Sequence, residues 1–332
     1  MILNAVRLRF ISWRMRSTQA QLFAGSNVEA ALVGLGIALE MNLDNLTCLL
    51  NMSASVDLYD SSYSEYSELV YQEVRQETYG LDLGQTGWMT EEEFRSFFGL
   101  LNLSASSRVL EVGCGAGGCA IYLAQTLGAE VMGIDVNESG IRNAEELAQS
   151  SGVSTRVKFA CLDGGARLPF KDGSFDAVFS NDAMCHIPRR LQTLKEWHRV
   201  LRPDGRMLFT DALVVTGILS NQEIATRSSI GPYFFLPVGE NERLIETAGF
   251  QMLSTANLTQ SAVDISQRWF DARSRRKDDL LRLEGESTYS GLQHFLACVR
   301  ALSQEQRLSR FLYVASRPTD AGDSSWNAAQ GE

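Results

Sequence analysis

Val109-Leu110-Glu111-Val112-Gly113-Cys114-Gly115-Ala116-Gly117-Gly118 is the stretch on which the reading of this 332-residue chain turns. An apolar run over Arg108 to Val112 ends in glycines, as a buried strand does where it enters a tight turn. Residues 116–127 continue with helical periodicity. Glycines let a backbone turn sharply and approach a ligand closely. Gly113, Gly115 and Gly118 spell GxGxxG, but a dinucleotide-binding turn has the same spacing.

Three acids narrow the reading. Glu111 lies two residues before the first glycine. A carboxylate there is unfavourable for a pyrophosphate and suits an ammonium group or the ordering of the loop. Asp135 ends a second strand expected over residues 130–134, where it can accept both hydroxyls of a ribose. Asp163 follows a third strand over residues 157–160, within reach of an adenine amino group, with Gly164 as a backbone donor.

The surrounding pattern alternates strand and helix. A helix is expected over residues 138–150, a fourth strand over 175–180 and a helix over 189–200. The helix closes on the turn Arg202-Pro203-Asp204-Gly205, and a fifth strand follows over residues 206–212. Late strands are expected over residues 251–256 and 311–316, with a largely helical segment between them. Such alternation predicts an α/β fold: a Rossmann-like, seven-stranded, mostly parallel sheet with helices on both faces and a helical lid.

Bulk properties bound the function. At 45% hydrophobic residues the chain can bury a full core. A net charge of −10 disfavours a nucleic-acid partner, because phosphate backbones need Lys and Arg to displace counterions. The six cysteines form no CxxC pair and no metal-ligand spacing, so reduced thiols in the cytoplasm and no metal site are expected. No apolar run is long enough to span a membrane.

Residues 1–51 form an extension with Arg7, Arg9, Arg14 and Arg16 before the first acid, Glu29. It reads as an organelle-targeting segment, as an overextended start with Met52 the true first residue, or as a genuine N-terminal helix. Residues 52–318 are expected to form the main domain, with lid insertions at about residues 213–245 and 257–310. Residues 319–332, rich in Ser, Ala, Gly and Asp, read as a disordered tail.

Four motifs in order resemble the class I S-adenosylmethionine-dependent methyltransferases. VLEVGCGAGG (109–118) resembles their first motif, and GIDVN (133–137) the acidic end of the second strand. CLDGGARLPFKDGSFDAVFSNDAMCHI (161–187) resembles the adenine loop and fourth strand, and WHRVLRPDGRMLFTD (197–211) the elements after it. The resemblance implies S-adenosyl-L-methionine as cofactor, held by Glu111, Gly113, Cys114, Gly115, Gly117, Asp135, Val136, Asp163, Gly164 and Asn181. TYGLDLGQTGWMT (78–90) resembles the loop over the methionine part, which adds Gln85 and Trp88.

NDAMCHI resembles a subgroup acting on sterols, phosphoethanolamine, sarcosine or dimethylglycine, and natural-product sugars. This implies a small-molecule acceptor methylated at oxygen or nitrogen, with His186 as base or orienter and Asp211 as a second catalytic group. Some relatives pair two histidines, whereas Cys185 precedes His186 here. In phosphoethanolamine relatives a tyrosine from an N-terminal helix partners the histidine, and of Tyr59, Tyr63 and Tyr66 the nearest match is Tyr66. Tyr233 and Phe234 are candidate acceptor-site residues in the lid, while Arg273, Arg275, Arg276 and Lys277 read as a solvated helix face. The competing functions are a cofactor-binding module without catalysis, an RNA methyltransferase and an NAD-dependent dehydrogenase.

Overall fold

The computed structural model describes residue 56 and residues 58–319. The expectations for residues 1–51 and for the tail from 320 onward lie outside the described residues. The described strands are β1 (Arg108–Val112), β2 (Glu130–Asp135), β3 (Val157–Cys161), β4 (Phe175–Ser180), β5 (Leu201–Val215), β6 (Leu236–Pro237), β7 (Gln251–Asn257) and β8 (Leu308–Ser316). The helices are α1 (Tyr59–Ser64), α2 (Leu69–Tyr79), α3 (Glu91–Leu100), α4 (Gly118–Leu127), α5 (Glu138–Ser150), α6 (Arg190–Val200), α7 (Asn221–Arg227), α8 (Glu240–Thr247), α9 (Thr259–Arg275) and α10 (Lys277–Gln304). No described helix is long and apolar enough to cross a membrane.

Seven strands lie in the order β3-β2-β1-β4-β5-β8-β7, and the two-residue β6 pairs with β5 as an eighth. Strands β1 to β5 run parallel, and β8 is antiparallel to both β5 and β7. The mostly parallel, Rossmann-like sheet is therefore as expected, with one short strand more.

Period-two alternation sends successive side chains to opposite faces. Val109 packs with Phe94, Phe97 and Leu123 on one side, and Leu110 packs with Leu194, Trp197 and Ile245 on the other. In β4, Phe179 and Val178 divide in the same way. Both faces are buried, which is why these strands read as continuous apolar runs.

Three expectations need correction. The segment Arg202 to Gly205 does not separate helix from strand, because β5 runs through it from Leu201. Asp204 takes φ 63° and donates its N–H to the Arg317 carbonyl, while the register to β4 shifts there, so the turn residues form an irregularity within one strand. The first lid segment ends earlier than residue 245, since Leu244 and Ile245 of α8 belong to the core beside α6. The Arg273 side chain is also not solvated: it is buried, ion-paired with Glu284, whose other oxygen accepts the Tyr71 hydroxyl. The neighbouring Arg275 and Arg276 pair with Glu77 and Glu73 of α2.

The lid core is made by α2, α9 and α10, with Tyr71, Val74, Ile265, Trp269, Leu292 and Phe295 packed together. Within α10, Gly285 departs from helical geometry at φ 76° and ψ 168°, so two helical pieces meet beside Glu284. Parallel strands present their carboxyl ends to one edge of the sheet, where open α/β folds bind ligands. The glycine turn after β1, Asp135 at the end of β2 and the segment after β4 all lie there.

Candidate active site

The turn after β1 is built for close approach. Gly113 has φ 79°, and a Cβ added to it would lie 2.4 Å from the Ala183 Cβ. Gly115 has φ 53°, and its added Cβ would lie 2.4 Å from the Tyr63 hydroxyl. A side chain at either position would collide with the segment after β4 or with α1. Asp135 braces the turn: one carboxylate oxygen accepts the Gly115 N–H at 2.9 Å, and the other accepts the Asn137 N–H at 2.9 Å. Asn137 in turn caps α5 by accepting the Gly140 N–H. Asp163 accepts the Gly165 N–H at 2.8 Å, and Gly164 packs against Val112.

Glu111 is buried beneath this turn, and its Oε2 has no hydrogen-bond partner among the described residues. Burial, and then the nearby Asp135, raise its carboxyl well above the usual carboxylate range. An orphaned acceptor of this kind marks a place for a donor or a cation.

His186 lies in a 3₁₀ turn, Met184–His186, after β4. Its Nδ1 is 2.9 Å from the Pro232 carbonyl, and its Nε2 is 2.9 Å from the Tyr59 hydroxyl. A carbonyl only accepts, so Nδ1 carries the proton; Nε2 of the neutral ring then accepts from Tyr59. Burial depresses the His186 pKa below the ordinary histidine value, against the raising effect of the Pro232 hydrogen bond. Burial likewise raises the Tyr59 phenol, with Tyr233 adding to it, so Tyr59 stays neutral. The Tyr233 hydroxyl is 3.4 Å from that of Tyr59, and its ring lies on His186 with centroids 4.3 Å apart.

Two buried ionic clusters hold the strand ends. Asp211 is fully buried, with Arg190 at 2.5 Å, Asn241 at 3.1 Å and the Leu213 N–H at 2.9 Å. Arg310, from β8, donates to Asp182 at 2.8 Å, Glu93 at 2.6 Å and Asn181 at 3.0 Å. The second Asp182 oxygen accepts the Trp88 N–H at 2.8 Å, which ties the loop before α3 to the end of β4.

Residues 110–209 match a family model described as a methyltransferase domain. The chain is 31% identical over 231 residues to the 27-O-demethylrifamycin SV methyltransferase of Amycolatopsis mediterranei, a match that takes in 66% of this chain and 80% of that enzyme. The chain belongs to the S-adenosylmethionine-dependent methyltransferases. This methyltransferase is also 29% identical to phosphoethanolamine N-methyltransferase 1 of Zea mays, over 60% of its own length and 39% of the maize enzyme. In fold it resembles Haemonchus contortus phosphoethanolamine N-methyltransferase 2, solved with phosphomonomethylethanolamine and S-adenosylhomocysteine. The TM-score is 0.66 at 20% identity, covering 79% of this chain and 61% of that one.

The methyltransferase's residues fit its cofactor. The orphaned Glu111 oxygen suits the ammonium group, the Asp135 carboxylate the ribose, and the glycine turn leaves room for backbone contact. Asp163, Gly164 and the largely exposed Val136 line the same strand-end edge, as an adenine site requires. The Cys114 N–H donates to the Ile134 carbonyl, and its buried side chain packs into the turn. Gly117 serves as the left-handed N-cap of α4.

Other expected residues are placed differently. Gln85 is turned onto its own loop, bonding the Leu83 N–H and the Leu81 carbonyl. The Trp88 ring packs on Trp269 and Phe295 in the lid core, so its link to the site is through its backbone. The Asn181 side chain is held between Thr210 and Arg310. The Tyr66 hydroxyl sits beside Gly84 and its ring under Arg75, so the partner of His186 is Tyr59 instead. The Asp211 carboxylate is already engaged by Arg190 and Asn241. Phe234 contributes its backbone, donating to the Cys185 carbonyl at 2.9 Å. Tyr59 was visible in the sequence only as one of three tyrosines, and Arg310 gave no signal there at all.

Asp135→Ala removes the brace on Gly115 together with the carboxylate expected to accept the ribose hydroxyls. Hydrogen bonds to a charged group contribute about 1.5–3 kcal/mol, so affinity for S-adenosylmethionine should fall about tenfold to a hundredfold. Calorimetric titration reads this directly, and unchanged affinity would remove Asp135 from the cofactor site.

Proposed function

We propose that this methyltransferase acts on an oxygen or nitrogen atom of a small molecule, with the Tyr59–His186 pair orienting the acceptor and taking its proton. The relatives support the acceptor class. One is named for methylation of a natural product at oxygen, and another for methylation of phosphoethanolamine at nitrogen. The observation that carries the reading is the neutral His186, whose Nε2 lone pair faces the Tyr59 hydroxyl.

When bound, S-adenosylmethionine supplies a methyl group made electrophilic by its sulfonium sulfur. The protein's own task is to align the acceptor, and such positioning contributes on the order of 7–11 kcal/mol. A hydroxyl or protonated amine must also lose a proton to free its lone pair. His186 takes that proton at Nε2, directly or through the Tyr59 hydroxyl. The Pro232 carbonyl, holding Nδ1–H, fixes the ring and stabilises the imidazolium. Asp211 acts at one remove by anchoring Arg190, whose guanidinium also donates to the Met184 carbonyl at the start of the histidine turn.

The test is to incubate the full chain with methyl-labelled S-adenosylmethionine and a metabolite extract, and to identify labelled products by mass spectrometry. The expected result is a small molecule with the new methyl group on oxygen or nitrogen. Label on carbon, or on RNA or protein alone, would refute the reading.

A further inference from the structure

Arg227 ends α7 and is 1% exposed, yet its Nε and Nη1 have no hydrogen-bond partner among the described residues. A buried guanidinium without a counter-charge is costly unless something compensates it. Three aromatic rings surround it, with centroids 5.9 Å (Trp88), 5.1 Å (Tyr233) and 4.9 Å (Phe295) from its central carbon. Ring faces attract a cation, but they leave Nε and Nη1 without an acceptor. The acids of this region are engaged elsewhere: Asp182 with Arg310, Asp211 with Arg190, and Glu223 of the same helix with Arg307.

The Tyr233 ring joins this cation to the proposed chemistry. Arg227 lies on that ring, and so does His186, with centroids 4.3 Å apart. A molecule reaching both groups therefore needs to span little more than one aromatic side chain. We propose that Arg227 is an acceptor-binding residue, and that the methyl acceptor carries an anionic group, a carboxylate or a phosphate, which docks on it. Guanidinium groups suit both anions through planar, charge-assisted hydrogen bonds. The proposal rests on the assignment of the His186 corner to the acceptor.

The test compares the parent with Arg227→Met and Arg227→Lys. Inorganic phosphate and acetate are titrated into each protein while thermal stability and Trp fluorescence are followed. One of the two anions is expected to stabilise the parent, less so R227K and not R227M, and the one that does identifies the class. Affinity for S-adenosylmethionine stays at the parent value in all three. Without ligand R227M melts no lower than the parent, since it removes a buried charge; a purely structural Arg227 would give the opposite. On the acceptor found with labelled cofactor, kcat/KM of R227M falls about tenfold to a hundredfold, mainly through KM. The proposal is overturned if neither anion distinguishes parent from R227M, or if R227M retains parent kcat/KM. Failure of the underlying function is recognised separately: no labelled small molecule forms, whatever the anion titrations give.

Discussion

His186→Ala should lower turnover by about a hundredfold or more while leaving the affinity for S-adenosylmethionine at the parent value. A positioned general base contributes about 10²–10⁴ in rate, and the hydrogen bonds of the His186 ring go to Tyr59 and Pro232 and not to the glycine turn or Asp135. Tyr59→Phe removes one hydrogen bond and leaves the imidazole in place, so its effect should be smaller. The pH profile gives an independent readout. The active form is the neutral imidazole, present above its pKa, so activity rises with pH through that value and is level beyond it. Burial moves the pKa down, which places the acid limb below the ordinary histidine value of about 6.5. Stability follows the same sign: the unfolded chain takes up this proton at a higher pH than the folded one, so His186 erodes stability as pH falls through about 6.5. Full turnover in the Ala variant, or an acid limb above the ordinary value, would exclude His186 from the chemistry.

The second large effect is on stability. Asp211→Ala leaves Arg190, 5% exposed, without its charge partner. Breaking one side of a buried pair typically costs about 3–5 kcal/mol. For a domain of this size that lowers Tm by on the order of 10 °C. Asp211→Asn separates the alternatives, because it keeps the shape and loses the charge. If Asp211 is positional, both variants melt early and turnover falls in step with the loss of native structure. A variant that melts with the parent but has lost turnover would restore Asp211 as a catalytic group.

These two residues show what could be read from the sequence. The glycine turn and the positions of Glu111, Asp135 and Asp163 around it were legible because each place is fixed by a few residues of local spacing after a strand. Asp211 has the same strand-end position as Asp135, and sequence alone could not tell that Arg190 and Asn241 converge on it from two helices. Tyr59 opens α1 whereas Tyr66 lies in the turn beyond its end, and which one meets His186 depends on how α1 lies over the glycine turn. Nothing in the residues around Arg227 signals its burial, which comes from Trp88 and from Phe295 of α10, both far away in sequence. The Arg202 to Gly205 turn was read correctly as a chemical signal, but pairing with β4 and β8 on either side carries the strand through it.

The Arg310 cluster bears on the order in which the protein can mature. Every described residue this guanidinium joins (Glu93, Asn181, Asp182 and Ser261) precedes it in the chain, Glu93 by 217 positions. Strand β8 completes the sheet by inserting between β5 and β7, and contacts of such long sequence separation form slowly. Until that insertion, the loop bearing Trp88 and the end of β4 lack the cation that gathers their acids. Competence to bind and react should therefore emerge late in refolding, after most secondary structure is in place.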